Sequence, residues 1–333
     1  MKLLTFAHPH DPRTPHLGAL FGENTVIDLE SARDWVIHHQ RLPLDDLPHS
    51  MFDLIQSGPQ SLDHIRNVLI ALEVGEPAEM NAPDNQPVGH KLNEVVLYPP
   101  LPRPMSVRDF YAFEAHVATA HANRGKKIPA EWYQFPVFYF SNPNAIYGPG
   151  EKVVYPRYSQ ALDYELEVAC VISKPGVNIP ADQAEDFIFG YLVFNDWSAR
   201  DVQRLEMRVG LGPAKGKDFA SSIGPWIVTP EELQDRHCGR PGVYDLAMTA
   251  RVNGDLRSQG NWQTLHYSFG EMIARASEDT WLLPGDLIGS GTVGGGCLLE
   301  LTRGEGPWLA PGDTVELEIE RLGVLSNTLK KAR

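Results

Sequence analysis

Asp163-Tyr-Glu-Leu-Glu-Val-Ala-Cys-Val-Ile-Ser173 alternates acidic with bulky side chains and then runs apolar from Val168 to Ile172. Alternation followed by a β-branched run is the pattern of a strand that enters a core. Successive strand side chains point to opposite faces, so Glu165 and Glu167 share a face, about 7 Å apart at roughly 3.3 Å per residue. If that face meets solvent, the pair is a wet sheet edge. If the strand is as deep as its apolar run suggests, two anions there need a cation between them.

Outward from this stretch the strand-and-turn texture continues: FPVFYF (135–140), KVVYP (152–156), FIFGYLVFNDWS (187–198), GPWIVTP (224–230), VYDLAMTARVNG (243–254), GDLIGSGTVG (285–294), CLLELTR (297–303) and TVELEIER (314–321). With 29 Gly and 27 Pro as punctuation, these segments predict a β-rich domain, with short helices near 181–186 and 268–276. Ser106–Asn123 reads as helical, with Ser106 as a cap and Phe110, Phe113 and Val117 at helical spacing. The first hundred residues differ. Short apolar runs at Lys2–Ala7 and Thr25–Leu29 precede a helix within His49–Leu72, and Glu76–Gln86 and Tyr98–Pro104 are Pro-rich connectors. The expected organisation is a small N-terminal β-rich domain with its connector over 1–100 and a larger β-rich α+β domain over 101–333.

The chain has 333 residues, 29 Lys plus Arg against 43 Asp plus Glu, and a net charge of −14. That field repels phosphate backbones and anionic lipid surfaces, so neither nucleic acid nor membrane is an expected partner. No stretch approaches the roughly 20 apolar residues of a membrane span. Cys170, Cys238 and Cys297 are scattered and odd in number, which fits neither a disulfide framework nor a zinc site and points to a reducing cytoplasm.

Polar groups crowd the end of the apolar run 187–194: Asn195-Asp-Trp-Ser-Ala-Arg-Asp-Val-Gln203. Asp196 reads either as a turn-forming Asx residue or, with Asp109, Glu165 and Glu167, as part of an all-oxygen ligand set. Oxygen donors without His or Cys suit Mg²⁺ or Ca²⁺, with Mn²⁺ a further candidate, rather than zinc. His116 follows Asp109 by seven residues, about two turns of a helix, which would aim an imidazole into the same cavity as a general base. A lone helical His is also a common packing residue, and His121, about 140° further round, is no partner for it. Gly289, Gly291 and Gly294 form a nominal G-x-G-x-x-G, but a dinucleotide site needs a helix next, and Cys297–Thr302 reads as a strand. The turn, with Ser290 and Thr292, can still offer N–H groups to an anion.

Taken together, Asp109-Phe-Tyr111 with His116, DYELE, NDWSARDVQ, GPAKGKDF, SGTV and LLEL resemble the fumarylacetoacetate hydrolase family, in order from about Ser106 to Leu301. The resemblance implies a mixed β-roll or barrel catalytic domain after a small N-terminal domain, in a homodimer. It implies a divalent metal held by Asp109, Glu165, Glu167 and Asp196, and substrate contacts from Tyr111, Tyr139, Arg200, Gln203 and Thr292. Lys217 would be a site lysine, His116 the water-activating base, and Glu300 the carboxylate that orients it. The implied reaction is hydrolysis of a C–C bond in a 1,3-diketo acid, fumarylacetoacetate or an acylpyruvate, with Arg200, Gln203 and Lys217 stabilising the oxyanion.

Two departures from the family pattern stand out. Ala220-Ser221 replaces the Gly-Thr that follows the family's site lysine, and Thr119 stands where several superfamily members place a glutamate beside the His. A decarboxylase or keto–enol isomerase acting on oxaloacetate or a hydroxyhepta-diene-dioate is the alternative activity, and a non-catalytic Ca²⁺-binding protein a third. Arg124, Lys126 and Lys127 are either a locally positive patch for an anionic substrate or a solvated turn.

Overall fold

The computed structural model describes residues 1–41 and 44–332. Its centre is three adjacent antiparallel strands, Leu166–Ile172, Ile188–Asp196 and Ser221–Val228, with every residue buried. The reason is that both faces of these strands are covered. Val168, Cys170 and Ile172 belong to one hydrophobic core, and Ala169 and Val171 to a second on the other side of the sheet. A strand packed on both faces reads as a continuous apolar run instead of an alternating one.

These strands lie within a twelve-stranded sheet. From edge to edge it runs Gly89–Lys91, Thr25–Asp28, Asp11–Phe21, Lys2–His8, Ser221–Val228, Ile188–Asp196, Leu166–Ile172, Leu287–Gly289, Val107–Phe110, Phe138–Ser141, with Val96–Leu97 and Ile146–Tyr147 paired at the side. A five-stranded sheet (Asp255–Asn261, Ala247–Val252, Thr314–Ile319, Gly323–Lys330, Lys152–Val154) covers one face. Helices Leu29–Gln40, Met51–Ser57 and Pro59–Ala71 cover the other with Val36, Leu54, Ile55, Ile65 and Val68. Parallel pairs occur in both sheets. The fold is therefore a β-rich α+β roll with mixed sheets, and the path of the large sheet stays open, with no closed barrel among the described residues.

The structure departs from the sequence reading at four places. Ser106–Asn123 is not one helix: Val107–Phe110 is a buried strand, and the helix is Glu114–Ala122, starting without a side-chain cap. The run Val-Arg-Asp-Phe is claimed by its parallel neighbour Leu287–Gly289, a tertiary pairing that outweighs helical spacing. Leu298–Leu301 is a single helical turn, not a strand, because Asp163 accepts the N–H groups of Leu298 and Leu299. The helix expected in His49–Leu72 is two, divided at Gly58 (φ 80°) with Pro59 opening the second. Helix Leu29–Gln40 went unread, although Asp28 caps it through Glu30 and Ser31. The composition shift near residue 100 marks no break in the sheet, since Lys2–His8 pairs with Ser221–Val228.

Trp262 anchors the core beneath the smaller sheet, fully buried and edge-on to Tyr191 and Tyr244 at 4.9 Å. Trp262→Ala should destabilise the protein by about 3–5 kcal/mol in denaturant titrations; a loss below about 1 kcal/mol would mean the cluster is not cohesive.

Candidate active site

The central strands end together on one side of the sheet, and each end delivers a charged group. Asp109 stands opposite Gly289 and Tyr139, Glu167 opposite Phe194, and Asp196 opposite Ser221. Glu165 lies just before its strand, its N–H held by the Asn195 side chain at 3.0 Å. Oxygens of Asp109, Glu165, Glu167 and Asp196 all lie within 4.8 Å of one another, and all four residues are buried. Glycine makes this approach feasible at two positions. A Cβ on Gly289 would lie 2.6 Å from the Asp109 carboxylate. Gly291 adopts φ 77° and turns its N–H toward both Asp109 and Glu167, 3.1 Å from each.

Two cations share the buried space. The Lys217 ammonium contacts Glu165 and Asp196. Arg200 bonds Asp163 through Nε at 2.8 Å, holds Gln203 at 3.1 Å, and lies 2.9 Å from Glu165 at an angle too oblique for a hydrogen bond. Tyr139 donates to Asp196. Burial, and then the charge of Asp196, push the Asp109 carboxyl well above the usual carboxylate range. Burial followed by the charges of Asp109 and Glu165 does the same to Glu167, and burial also raises Asp196 against the pull of Lys217. Glu165 goes the other way: burial opposes its ionisation, but Lys217 and Arg200 outweigh it. The cluster thus carries more negative charge than Lys217 and Arg200 balance. Asp196 Oδ1 is buried with no hydrogen-bond partner, and a hard divalent cation is the ligand such a donor set fits.

Facing the carboxylates is His116. Its Nδ1 lies 2.5 Å from Glu300, whose other oxygen accepts the Gly295 N–H at 3.0 Å. Because the partner is a carboxylate, which accepts, Nδ1 is the donor of this bond and Nε2 stays outside the pair. Asp109 and His116 meet across a strand and a helix, not along two turns of one helix. Thr119 is turned back to its own helix, onto the Ala115 carbonyl. Tyr111 packs edge-on to the imidazole at 5.2 Å.

A cavity of about 330 Å³ opens onto these groups, lined by Asp109, Tyr111, His116, Tyr139, Glu165, Glu167, Arg200, Gln203, Lys217 and Thr292, with Asp196 and Glu300 behind the wall. A neighbouring cleft of about 620 Å³ is lined by Arg124, Lys126, Arg204, Arg208 and Arg303, so the site's mouth is positive on an acidic protein. The glycine turn gives its N–H groups to protein carboxylates. The sequence reading missed two residues. Asp163 ties Arg200 to the turn bearing Glu300, and its signal was its position two residues before Glu165. Glu206 gathers the N–H groups of Ala214, Lys215 and Gly216 and so fixes the loop that presents Lys217.

The family described as Fumarylacetoacetate (FAA) hydrolase C-terminal matches residues 106–330. The chain belongs to the fumarylacetoacetate hydrolase family. Among its relatives is "Oxaloacetate tautomerase FAHD2B, mitochondrial" of Bos taurus, 30% identical over 98% of this chain and 91% of that protein. "Oxaloacetate tautomerase YisK" of Bacillus subtilis is 27% identical over 94% and 95%. The crystal structure of a probable 2-hydroxyhepta-2,4-diene-1,7-dioate isomerase from Mycobacterium abscessus matches with TM-score 0.70 and 26% identity over the whole of both chains. The chain is thus an enzyme of this family; the two relatives and the structure named above are tautomerases and an isomerase, whereas the motifs first suggested a hydrolase.

A carboxyl whose pKa is higher folded than unfolded contributes stability that is present in acid and lost as pH rises through the folded value. Asp109, Glu167 and Asp196 are of this kind; Glu165, with its depressed value, loses its contribution only in strong acid. The metal-free protein should therefore melt at a higher temperature near pH 5 than near pH 8, and saturating Mg²⁺ should remove the difference. A metal-free melting temperature that climbs steadily with pH over that range would contradict the excess of buried charge.

Proposed function

We propose that the protein is a divalent-cation-dependent keto–enol tautomerase of a 2-oxo dicarboxylic acid, with oxaloacetate as its substrate. The observation that carries this reading is the single cavity in which the Glu300-held His116 faces the four carboxylates; full-length similarity to proteins named oxaloacetate tautomerase supports it. Asp109, Glu165, Glu167 and Asp196 would hold the cation, Mg²⁺ by preference, with Mn²⁺ or Ca²⁺ as substitutes. The cation supplies a Lewis acid for the oxo oxygen. His116 Nε2 takes a proton from the carbon between the two carbonyl groups, and that proton returns to oxygen as the enol forms, so the enzyme ends unchanged. Glu300 holds the ring and stabilises it while protonated. Lys217 and Arg200 steady negative charge on the substrate, Gln203, Tyr111, Tyr139 and Thr292 position it, and the arginine-lined cleft attracts its second carboxylate.

Hydrolysis of a fumarylacetoacetate or acylpyruvate C–C bond is the second reading. The His116–Glu300 pair favours it, because a base held in this way can also deprotonate water. An assay that follows the enol absorbance of oxaloacetate, pyruvate release, and cleavage of diketo acids in parallel separates tautomerase, decarboxylase and hydrolase. His116→Ala should lower kcat by about 10²–10⁴ and leave Mg²⁺ binding intact by calorimetry. Near-normal turnover, or no heat with Mg²⁺, Mn²⁺ or Ca²⁺, would sink the assignment.

We also propose that residues 101–333 form the catalytic unit braced by 1–100, that the protein works in the cytoplasm with its three thiols free, and that it is a homodimer. Among the described residues no helix is long and apolar enough to cross a membrane. Leu205, Val209 and Leu211, on and just beyond the helix that carries Arg200 and Gln203, are 61%, 81% and 91% exposed. Such a patch fits a second copy of this chain. Sedimentation velocity should find a dimer, and Leu211→Glu should shift it to monomer; a monomeric wild type would refute this.

A further inference from the structure

Four consecutive strands of the N-terminal sheet each contribute one side chain to the same face: His90 from Gly89–Lys91, Asp28 from Thr25–Asp28, His16 from Asp11–Phe21 and His8 from Lys2–His8. The register explains the convergence. His90 is opposite Val26, Asp28 opposite Gly18 and His16 opposite Phe6. Steps of two residues then keep all four groups on one side. Donor atoms of His8, His16 and Asp28 lie within 4.8 Å of one another. The His8 ring is 4.9 Å from that of His16 and 4.6 Å from that of His90. His90 Nε2 is buried without a hydrogen-bond partner.

An ordinary ion pair accounts for half of this group. His16 Nδ1 is 2.9 Å from Asp28 Oδ2, while Oδ1 caps the following helix through the N–H groups of Glu30 and Ser31. It does not account for His8, packed on His16, or for His90, packed on His8, neither of which has a carboxylate of its own. As imidazolium ions three rings at this spacing would repel one another. As neutral rings they offer lone pairs, next to one carboxylate oxygen.

We propose that His8, His16 and Asp28 bind a transition-metal cation of the Zn²⁺ class, with His90 packed beside His8. Imidazole nitrogens with one carboxylate suit Zn²⁺ and disfavour Mg²⁺ and Ca²⁺, the opposite preference to the all-oxygen cluster at the far end of the sheet. The bound ion would cross-link three strands and, through Asp28, the start of helix Leu29–Gln40.

The test uses the full-length protein in excess Mg²⁺, which saturates the oxygen site. One equivalent of Zn²⁺ should bind per chain by calorimetry and raise the melting temperature. Co²⁺ in its place should give the intense visible bands of a low-coordinate, nitrogen-ligated ion. The double variant His8→Gln/His16→Gln should lose both signals, with Zn²⁺ affinity down at least about a hundredfold, and keep its Mg²⁺-supported turnover, which reports that it is folded. If the double variant does not fold, His8→Gln alone should weaken Zn²⁺ at least about tenfold. No Zn²⁺ uptake by the wild type in Mg²⁺, weak oxygen-type Co²⁺ bands, or unchanged binding by a folded variant would overturn the proposal.

Discussion

Four carboxylates pressed into one buried space repel one another unless positive charge is placed among them, and much of the catalytic half is arranged around that requirement. Lys217 and Arg200 each reach Glu165 from different elements. Gly291 supplies an N–H to two of the acids at once. These supports are themselves held: Arg200 by Asp163, and the Lys217 loop by Glu206. Since an uncompensated buried charge costs several kcal/mol, the strand ends can converge only with this lattice in place.

The same arrangement suits several reactions. A Lewis-acid site beside a base serves enolisation, decarboxylation and C–C hydrolysis alike, because each passes through negative charge beside a carbonyl. What distinguishes them lies at the margins: whether a water molecule is kept near the base, and where the substrate's distant carboxylate rests. The arginine-lined cleft beside the cavity speaks to the second point. It shows how a chain with a net charge of −14 could draw in the dianion proposed above, since local fields near a cleft outweigh distant charges screened beyond about 10 Å.

Much of this was legible in the sequence because strand periodicity is local. Glu165 and Glu167 could be placed on one face, and the β-rich class followed from runs such as 187–198. The order of motifs then supplied a grouping that spacing alone could not, bringing together residues as distant as Asp109 and Glu300. Reading failed where tertiary contacts chose the conformation. Val107–Phe110 has helical spacing and becomes a strand because Leu287–Gly289 lies alongside it. Leu298–Leu301 looks like a strand and turns helical because Asp163, more than a hundred residues earlier, takes two of its N–H groups. The histidine face of the N-terminal sheet depends on the register of four strands, which no local pattern reveals.

Lys2–His8 lies along the half of Ser221–Val228 beyond Ile146–Tyr147, with the Met1 amino group 2.5 Å from Thr229. The stretch that carries the family motifs is therefore not self-sufficient. Trimmed to 106–330, it would bare the backbone amides of Ile227 and Val228 and the apolar side chains under the three N-terminal helices, a sticky margin inviting aggregation. The opening residues thus act as a sealing strip along that margin.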